Sequence, residues 1–130
     1  MSHIVKGNVS VAYVNKENLI KAMAGLGRVF EKEKLYRVGV GYTTERYDLV
    51  LISNEDEKLR IGYNLKNGVW EQYQENYGSY GTWTKKVSSK VQDRYIAFHY
   101  EAQLKEEGFK VIIQEQNDGT LELVAEESAW

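Results

Sequence analysis

Alternation of hydrophobic and polar positions predicts a pair of strands in the middle of the chain. Apolar or aromatic side chains occupy every second position from Leu59 to Leu65, which is typical of a strand with one buried and one wet face. Asn67-Gly68 follows, and this dipeptide is the strongest short signal for a type I′ hairpin turn. Residues 69–77 are therefore predicted to return as the partner strand.

Two helices are predicted from apolar residues that recur at helical spacing. The first covers residues 16–26, with Asn15 as its N-cap and Gly27 as the residue that ends it. The second covers residues 84–107 and ends at Gly108. Its apolar residues fall within one narrow arc of the helix: Val87, Val91, Tyr95, Phe98 and Ala102.

The remaining apolar runs predict five more strands, over residues 4–14, 35–42, 47–53, 109–114 and 121–125. The predicted order is β-α-β-β-β-β-α-β-β, an α+β domain with an antiparallel sheet and two helices on one face. Without the extra strands, this order contains the βαββαβ arrangement of a ferredoxin-like core. A chain of 130 residues is one domain's worth, so 1–130 is predicted to be a single domain.

The composition excludes several classes of function. The chain has no cysteine, so disulfides, thiolate metal sites and thiol nucleophiles are excluded. It has no proline, which favours regular elements joined by short turns. It shows no secretory signal pattern, and no apolar stretch approaches the roughly 18 residues that span a bilayer. We therefore expect a cytoplasmic protein that does not enter a membrane.

The charge is close to neutral but unevenly distributed. The net charge is −2, whereas a general nucleic-acid binder is usually basic. Residues 101–130 carry eight acidic and two basic side chains, and residues 1–100 carry eleven acidic and fifteen basic ones. We interpret the acidic end as a solvated surface.

Catalytic and metal-binding signatures are not found. Gly39-Val40-Gly41 begins like a dinucleotide-binding fingerprint, but Thr44 stands where the third glycine is needed and no helix is predicted to follow. His3 and His99, the two histidines, have no partner at metal-ligand spacing, so neither a metal nor a cofactor is expected. His99 could serve as a general base, or it could be a hydrogen-bonded, partly buried side chain.

An aromatic and basic segment, residues 70–94, is the most informative part of the sequence. Its members are Trp70, Tyr73, Tyr77, Tyr80, Trp83, Lys85, Lys86, Lys90 and Arg94. The last three basic residues are four apart and predict a stripe along the second helix. Lysines in the first predicted turn, and glutamates in the last, oppose the helix dipole, which favours an anion or acidic partner near the first turn. The alternative is an ordinary sheet face and ordinary exposed lysines.

Several short motifs recur in an order and spacing that resemble a known family. They are Met1-Ser2-His3, Leu26-Gly27, Asp48-Leu49-Val50-Leu51, Ile61-Gly62-Tyr63-Asn64, Gln92-x-Arg94-Tyr95-x-x-x-His99, Gly108-Phe109 and Asp118-Gly119-Thr120. The chain resembles the conserved cyanobacterial and plastid open-reading-frame proteins (hypothetical chloroplast reading frame 35), a family of unknown function. It departs from them in lacking a tryptophan pair near its middle.

The resemblance implies a small soluble protein of bacterial or plastid type, which would place it in the plastid stroma if a plastid genome encodes it. It implies no activity. It does draw attention to His3, Arg94, Tyr95 and His99, because these residue types match the family pattern.

Three functions remain open from the sequence. The leading hypothesis is a non-enzymatic adaptor or subunit with a protein partner, since exposed sheet edges can add a partner's strand. The second is binding of nucleic acid or another polyanion through residues 70–94. The third is an enzyme that uses His99, with Arg94 and Tyr95, in a cleft. The candidate binding residues are Trp83, Lys85, Lys86, Lys90, Arg94, Tyr95 and His99.

Overall fold

The computed structural model describes residues 4–127. Its elements are β1 (Ile4–Lys6), α1 (Lys16–Ala24), β2 (Arg28–Glu33), β3 (Tyr36–Arg37), β4 (Gly41–Tyr42), β5 (Tyr47–Ile52), β6 (Arg60–Lys66), β7 (Val69–Glu75), α2 (Gly78–Glu106), β8 (Phe109–Glu115) and β9 (Leu121–Glu127). Two helices with a mainly antiparallel sheet confirm the predicted α+β class. The motif Met1-Ser2-His3 and the terminal residues 128–130 lie outside the described range, so the single domain over 1–130 stays a prediction.

Five antiparallel strands form the main sheet, in the order β1-β7-β6-β5-β2. The predicted central hairpin is confirmed, because Lys66 pairs with Val69 across the turn. Asn67 and Gly68 both adopt positive φ, at 53° and 81°, as a type I′ turn requires. The turn chemistry and the alternating strand pattern therefore specify the same register.

Both helices pack on one face of this sheet, as predicted. Their shared core combines sheet residues with residues of α1 and α2: Leu49, Leu51, Ile61, Tyr63 and Trp70 with Leu19, Met23, Val87, Val91 and Tyr95. The opposite face buries Val50 and Ile52 of β5 against Leu35 and Tyr47. Both faces of β5 are thus covered, which explains its nearly continuous hydrophobic sequence.

The strand order differs from that of a ferredoxin-like core. The two strands that follow α2 do not join the main sheet, because β8 and β9 pair only with each other in a separate two-stranded sheet. Gly108, with a φ of 91°, reverses the chain after α2. As a result, β8 runs back along α2 and never reaches an edge of the main sheet.

The predicted strand over 35–42 is wrong. Its place in the main sheet is taken by β2, and residues 36–42 form the short β3–β4 hairpin instead. The sequence did not predict the edge strand β2, because most of its side chains are polar and most are exposed. Gly39 and Gly41, with φ of 77° and 107°, break the extended run.

The predicted first strand, over 4–14, shortens to three residues. The segment after Lys6 contacts β7 only in places: Gly7 N donates to the carbonyl of Gln72 at 2.7 Å, and the carbonyl of Tyr13 accepts from Trp70 N at 2.8 Å. Between and after these contacts, Ser10 N donates to Gln92 Oε1 at 3.2 Å, and the amides of Val14 and Asn15 each donate to Tyr95 Oη at 3.1 Å. Amides that bond to side chains of α2 are not available for a regular sheet ladder, so the strand ends early.

The helix ends also differ from their predicted positions. Asn15 caps α1 as predicted, since its Oδ1 accepts a hydrogen bond from Asn18 N at 2.9 Å. The helix ends at Ala24, before the predicted Gly27. The second helix was predicted to begin at residue 84, but residues 78–81 already form the first turn of α2, where Gly81 has no Cβ to collide with the carbonyl of Asn76.

The hydroxyl groups of Tyr13 and Tyr63 are buried in the core and form no hydrogen bond within the described residues. A buried polar group without a partner destabilises the folded state. Burial also raises the pKa of both phenols, because the ionised form is poorly solvated there. Tyr95, in contrast, has its hydroxyl fully engaged by two backbone amides.

Two tyrosine substitutions should therefore have different effects on stability. We expect Tyr63→Phe to leave the free energy of unfolding unchanged or higher, because it removes a buried hydroxyl that has no partner. Tyr95→Phe should lower it by about 1–3 kcal/mol, because two partly buried backbone amides lose their acceptor. Urea denaturation at neutral pH measures both, and equal losses would contradict the difference in hydrogen bonding.

Alkaline pH should destabilise the fold through these tyrosines. Above about pH 10 tyrosines ionise in the unfolded chain, while Tyr13 and Tyr63 keep their protons because burial raises their pKa. The unfolded state then binds fewer protons, so the free energy of unfolding falls with rising pH, by about 1.4 kcal/mol per pH unit for each group. The double variant Tyr13→Phe, Tyr63→Phe should show a shallower decline in urea denaturation at a series of alkaline pH values. Parallel curves would contradict this.

Candidate functional site

All seven candidate residues from the sequence lie on α2, but the structure places them in different surroundings. Arg94 and Tyr95 are buried, at 4 % and 3 % exposure. Trp83 is partly buried against the main core. Lys85, Lys86 and His99 are exposed, and Lys90 is partly covered. The candidate residues therefore do not form one site.

Arg94 is a structural residue that joins three parts of the molecule. Its Nε donates to the carbonyl of Ala22 in α1 at 2.7 Å, and its Nη1 donates to the carbonyl of Gly119 at 2.8 Å. The same Nη1 lies 2.5 Å from Glu115 Oε1 at the end of β8. Gly25 leaves the space for this guanidinium, since a Cβ there would overlap it. The planar fork of an arginine suits such a multiple contact.

The predicted basic stripe is not an exposed surface. Arg94 is buried, and Lys90 Nζ donates to the carbonyl of Asp118 in the β8–β9 turn. Of the three residues of the stripe, Lys86 alone is exposed and forms no ion pair with a described residue. Because α2 starts at Gly78, Lys85 and Lys86 also lie beyond its first turn, so they do not oppose the helix dipole as expected.

His99 lines a small, mostly apolar cleft of about 220 Å³. Its lining also includes Val11, Val14 and Tyr100, and the ring of Tyr100 stands edge-on to that of His99 at 6.0 Å. Tyr95 lines the same cleft, as predicted from their spacing, but Arg94 does not. No acidic, serine or lysine side chain lines the cleft, and the described residues contain no cluster suited to a metal ion. The groups in its lining that can take part in proton transfer are the imidazole of His99 and the hydroxyls of Tyr95 and Tyr100.

The C-terminal lobe, which we define as residues 96–126, has no buried residue. It comprises the second half of α2 and the β8–β9 hairpin. Its large apolar and aromatic side chains are all at least partly exposed: Ile96, Phe98, Tyr100, Leu104, Phe109, Val111, Ile112, Ile113, Leu121, Leu123 and Val124. Buried residues of α2 end at Tyr95. The molecule therefore combines a complete core with a lobe whose apolar surface is incompletely covered.

The hairpin presents apolar side chains on both of its faces. Val111 and Ile113 share one face with Glu115, which bonds to Arg94 of α2, so this face lies towards the helix. Ile112 and Val124 pair across the strands on the other face, with 42 % and 39 % of their surface exposed. Opposite residues in an antiparallel pair lie on the same side. The outer face therefore has an exposed apolar centre.

Acidic side chains outnumber basic ones across the lobe. The acidic residues are Glu101, Glu106, Glu107, Glu115, Asp118, Glu122 and Glu126, against the two lysines Lys105 and Lys110. Lys105 already pairs with Glu101 at 3.4 Å. On the outer face, Glu122 and Glu126 flank Val124, while Lys110 and Gln114 flank Ile112. The lobe thus combines an exposed apolar centre with an excess of acidic side chains, which we call its acidic rim.

The sequence contained two signals for this surface, the acidic surplus of residues 101–130 and the apolar alternation in the last two strands. Neither identified it, because the first was interpreted as a solvated surface and the second as part of a covered sheet. Only the separation of β8 and β9 from the main sheet leaves these side chains exposed.

Comparison with known proteins finds no match to the chain among family models, curated proteins or solved structures. The resemblance to the cyanobacterial and plastid open-reading-frame family therefore stays a prediction. Among the described residues, no helix is long and apolar enough to cross a membrane.

Replacement of Arg94 tests its structural assignment. Arg94→Ala should lower the free energy of unfolding by about 3 kcal/mol, because buried carbonyls lose a charged donor. It should also release the hairpin, so limited proteolysis after Lys110 should become faster. The matched control Lys86→Ala, on an exposed part of the same helix, should change stability by less than about 0.5 kcal/mol. Similar effects of the two variants in urea denaturation would contradict this role.

Proposed function

We propose that this protein is a non-enzymatic interaction domain that binds a partner polypeptide through its C-terminal lobe. The observation that carries the proposal is the absence of any buried residue between 96 and 126, although this segment is rich in large apolar side chains. Burial of apolar surface contributes about 25 cal/mol per Å², so a surface of this kind gains stability when a partner covers it. Exposed apolar patches with polar rims are typical of protein interaction sites.

The architecture of the lobe explains why it benefits from a partner. A two-stranded hairpin is marginally stable by itself in water. Here α2 covers one face of the hairpin, while Ile112 and Val124 stay exposed on the other. The hairpin has no third strand among the described elements, so its outer edges can accept an extended segment. A partner strand or helix on this side would complete a second core.

Charge specifies the chemistry of the partner. The acidic rim favours a surface with an apolar centre and a basic rim. Glu106 lies in the last turn of α2 and Glu107 is its C-cap, where the helix dipole disfavours anions, so basic partner side chains would relieve this repulsion. A second copy of the chain would bring one acidic lobe against another. We therefore propose a basic partner protein, and not self-association.

The lobe also disfavours the other two functions. Its acidic rim repels a phosphate backbone, and Arg94 of segment 70–94 is used within the fold, as is the next candidate residue, Tyr95. The cleft at His99 is lined by no carboxylate, serine or lysine that could act with the imidazole, and the hydroxyl of Tyr95 there accepts hydrogen bonds from two backbone amides. We further propose that binding takes place in the cytoplasm, or in the plastid stroma for a plastid-encoded chain, which fractionation of the source cells tests.

A pair of matched substitutions tests the interaction surface. Ile112→Glu places a carboxylate in the apolar centre of the lobe, and Leu65→Glu makes the same change at a 49 % exposed strand position outside it. Each form of the protein is immobilised and used to capture proteins from source-cell lysate. Mass spectrometry then identifies the proteins that wild type and Leu65→Glu retain and that Ile112→Glu does not. Each is then purified and its affinity measured by calorimetry at low and high salt.

The proposal expects a basic partner whose Kd rises at least about tenfold with Ile112→Glu and also rises with salt. Thermal unfolding should show that both variants keep the wild-type fold. Equal binding of the partner to Ile112→Glu and wild type would overturn the proposed surface. A wild-type dimer in analytical ultracentrifugation that Ile112→Glu converts to a monomer would instead assign the surface to a second copy.

A further inference from the structure

A polar cavity of about 670 Å³ lies between the start of the chain, the end of β7 and the N-terminal half of α2. The lining includes no apolar side chain and no acidic one. It contains two lysines, two glycines, four amides and three hydroxyls, the lysines being Lys6 and Lys85. Most of these residues belong to segment 70–94, yet only Lys85 was a candidate from the sequence.

The wall of this cavity is held in place by a buried hydrogen-bond network. Gln72, only 1 % exposed, exchanges hydrogen bonds with Ser88 at 3.0 and 3.2 Å. Its Nε2 also donates to Gln74 Oε1 at 2.5 Å, and Gln74 Nε2 donates to Asn76 Oδ1 at 2.6 Å. Satisfied polar networks of this kind are rigid, so the amides and hydroxyls at the wall are positioned before any ligand arrives.

The positive charge at the cavity comes mainly from Lys85, which forms no ion pair with a described carboxylate. Lys6 Nζ lies 3.3 Å from Glu71 Oε1, so this carboxylate offsets part of its charge. Gly78 and Gly81 bring the first turn of α2 to the cavity without side chains in between. That turn contains no acidic residue, so the positive end of the helix dipole adds to the field of the lysines.

We propose that this cavity binds a small phosphorylated sugar. The volume falls within the range of about 300–1,000 Å³ that small-molecule sites occupy. Lys6 and Lys85 would hold the phosphate, while the amide and hydroxyl wall would bond to sugar hydroxyls. No aromatic side chain lines the cavity, so it offers no platform on which a nucleobase could stack. The site shares no residue with the C-terminal lobe and does not depend on the proposed interaction.

Nuclear magnetic resonance of the ¹⁵N-labelled full chain tests this site. The probes are glucose 6-phosphate, inorganic phosphate and glucose. We expect saturable shifts at the amides of Asn76, Gly78 and Gly81, with glucose 6-phosphate binding more tightly than either fragment. Lys85→Gln should weaken its binding about tenfold, because a charged contact is lost. Lys86→Gln, the adjacent exposed lysine outside the lining, is the matched control and should change binding less than about twofold.

A second variant keeps the test independent of one lysine. Ser89→Glu places a carboxylate in the lining and should abolish the shifts, while its thermal unfolding stays close to wild type. The proposal is overturned when glucose 6-phosphate gives no saturable shift, or when Lys86→Gln weakens binding as much as Lys85→Gln. Equal affinity for inorganic phosphate and glucose 6-phosphate would also overturn it, because the sugar would then contribute nothing.

Discussion

The contacts of the buried Arg94 guanidinium hold the molecule together. One side chain bonds to the end of α1, to the end of β8 and to the β8–β9 turn. Because these donors satisfy carbonyls from separate elements, the hairpin is fixed against the helices at its tip. Lys90 reinforces the same turn through the carbonyl of Asp118. The position of the C-terminal lobe therefore depends on one charged residue that is used for structure.

This attachment explains the division between a complete core and an incomplete one. The main sheet buries Leu51 and Ile61 beneath two helices, with close to no exposure. The hairpin is held at its tip and along one helix face, and two strands are too few to enclose their own side chains. Its exposed Ile112–Val124 pair follows from that geometry. An apolar surface left in this way is the physical basis of the proposed interaction.

The two proposed sites lie towards opposite ends of α2 and differ in charge. At its N-terminal end, glycines, Lys6 and Lys85 border a polar cavity suited to an anion. At its C-terminal end, Glu106 and Glu107 belong to an acidic rim suited to a basic partner. The helix dipole favours anions at its first turn and cations at its last, so both preferences agree with the field of the helix. The two sites share no residue, since the cavity lining reaches Gln92 on α2 and the lobe begins at residue 96.

The sequence by itself determined the α+β class, both helices and the central hairpin, because apolar spacing and the Asn67-Gly68 turn are local signals. It did not identify β2, whose polar side chains at a sheet edge carry no periodic pattern. It also could not assign Arg94 and Tyr95, because a buried arginine and a buried hydroxyl take their roles from distant carbonyls and amides. The tertiary structure alone decided that β8 and β9 stay apart from the main sheet. The strands with which they can pair depend on where the chain lies at the end of the long helix α2. For the same reason, it alone revealed the exposed lobe and the polar cavity.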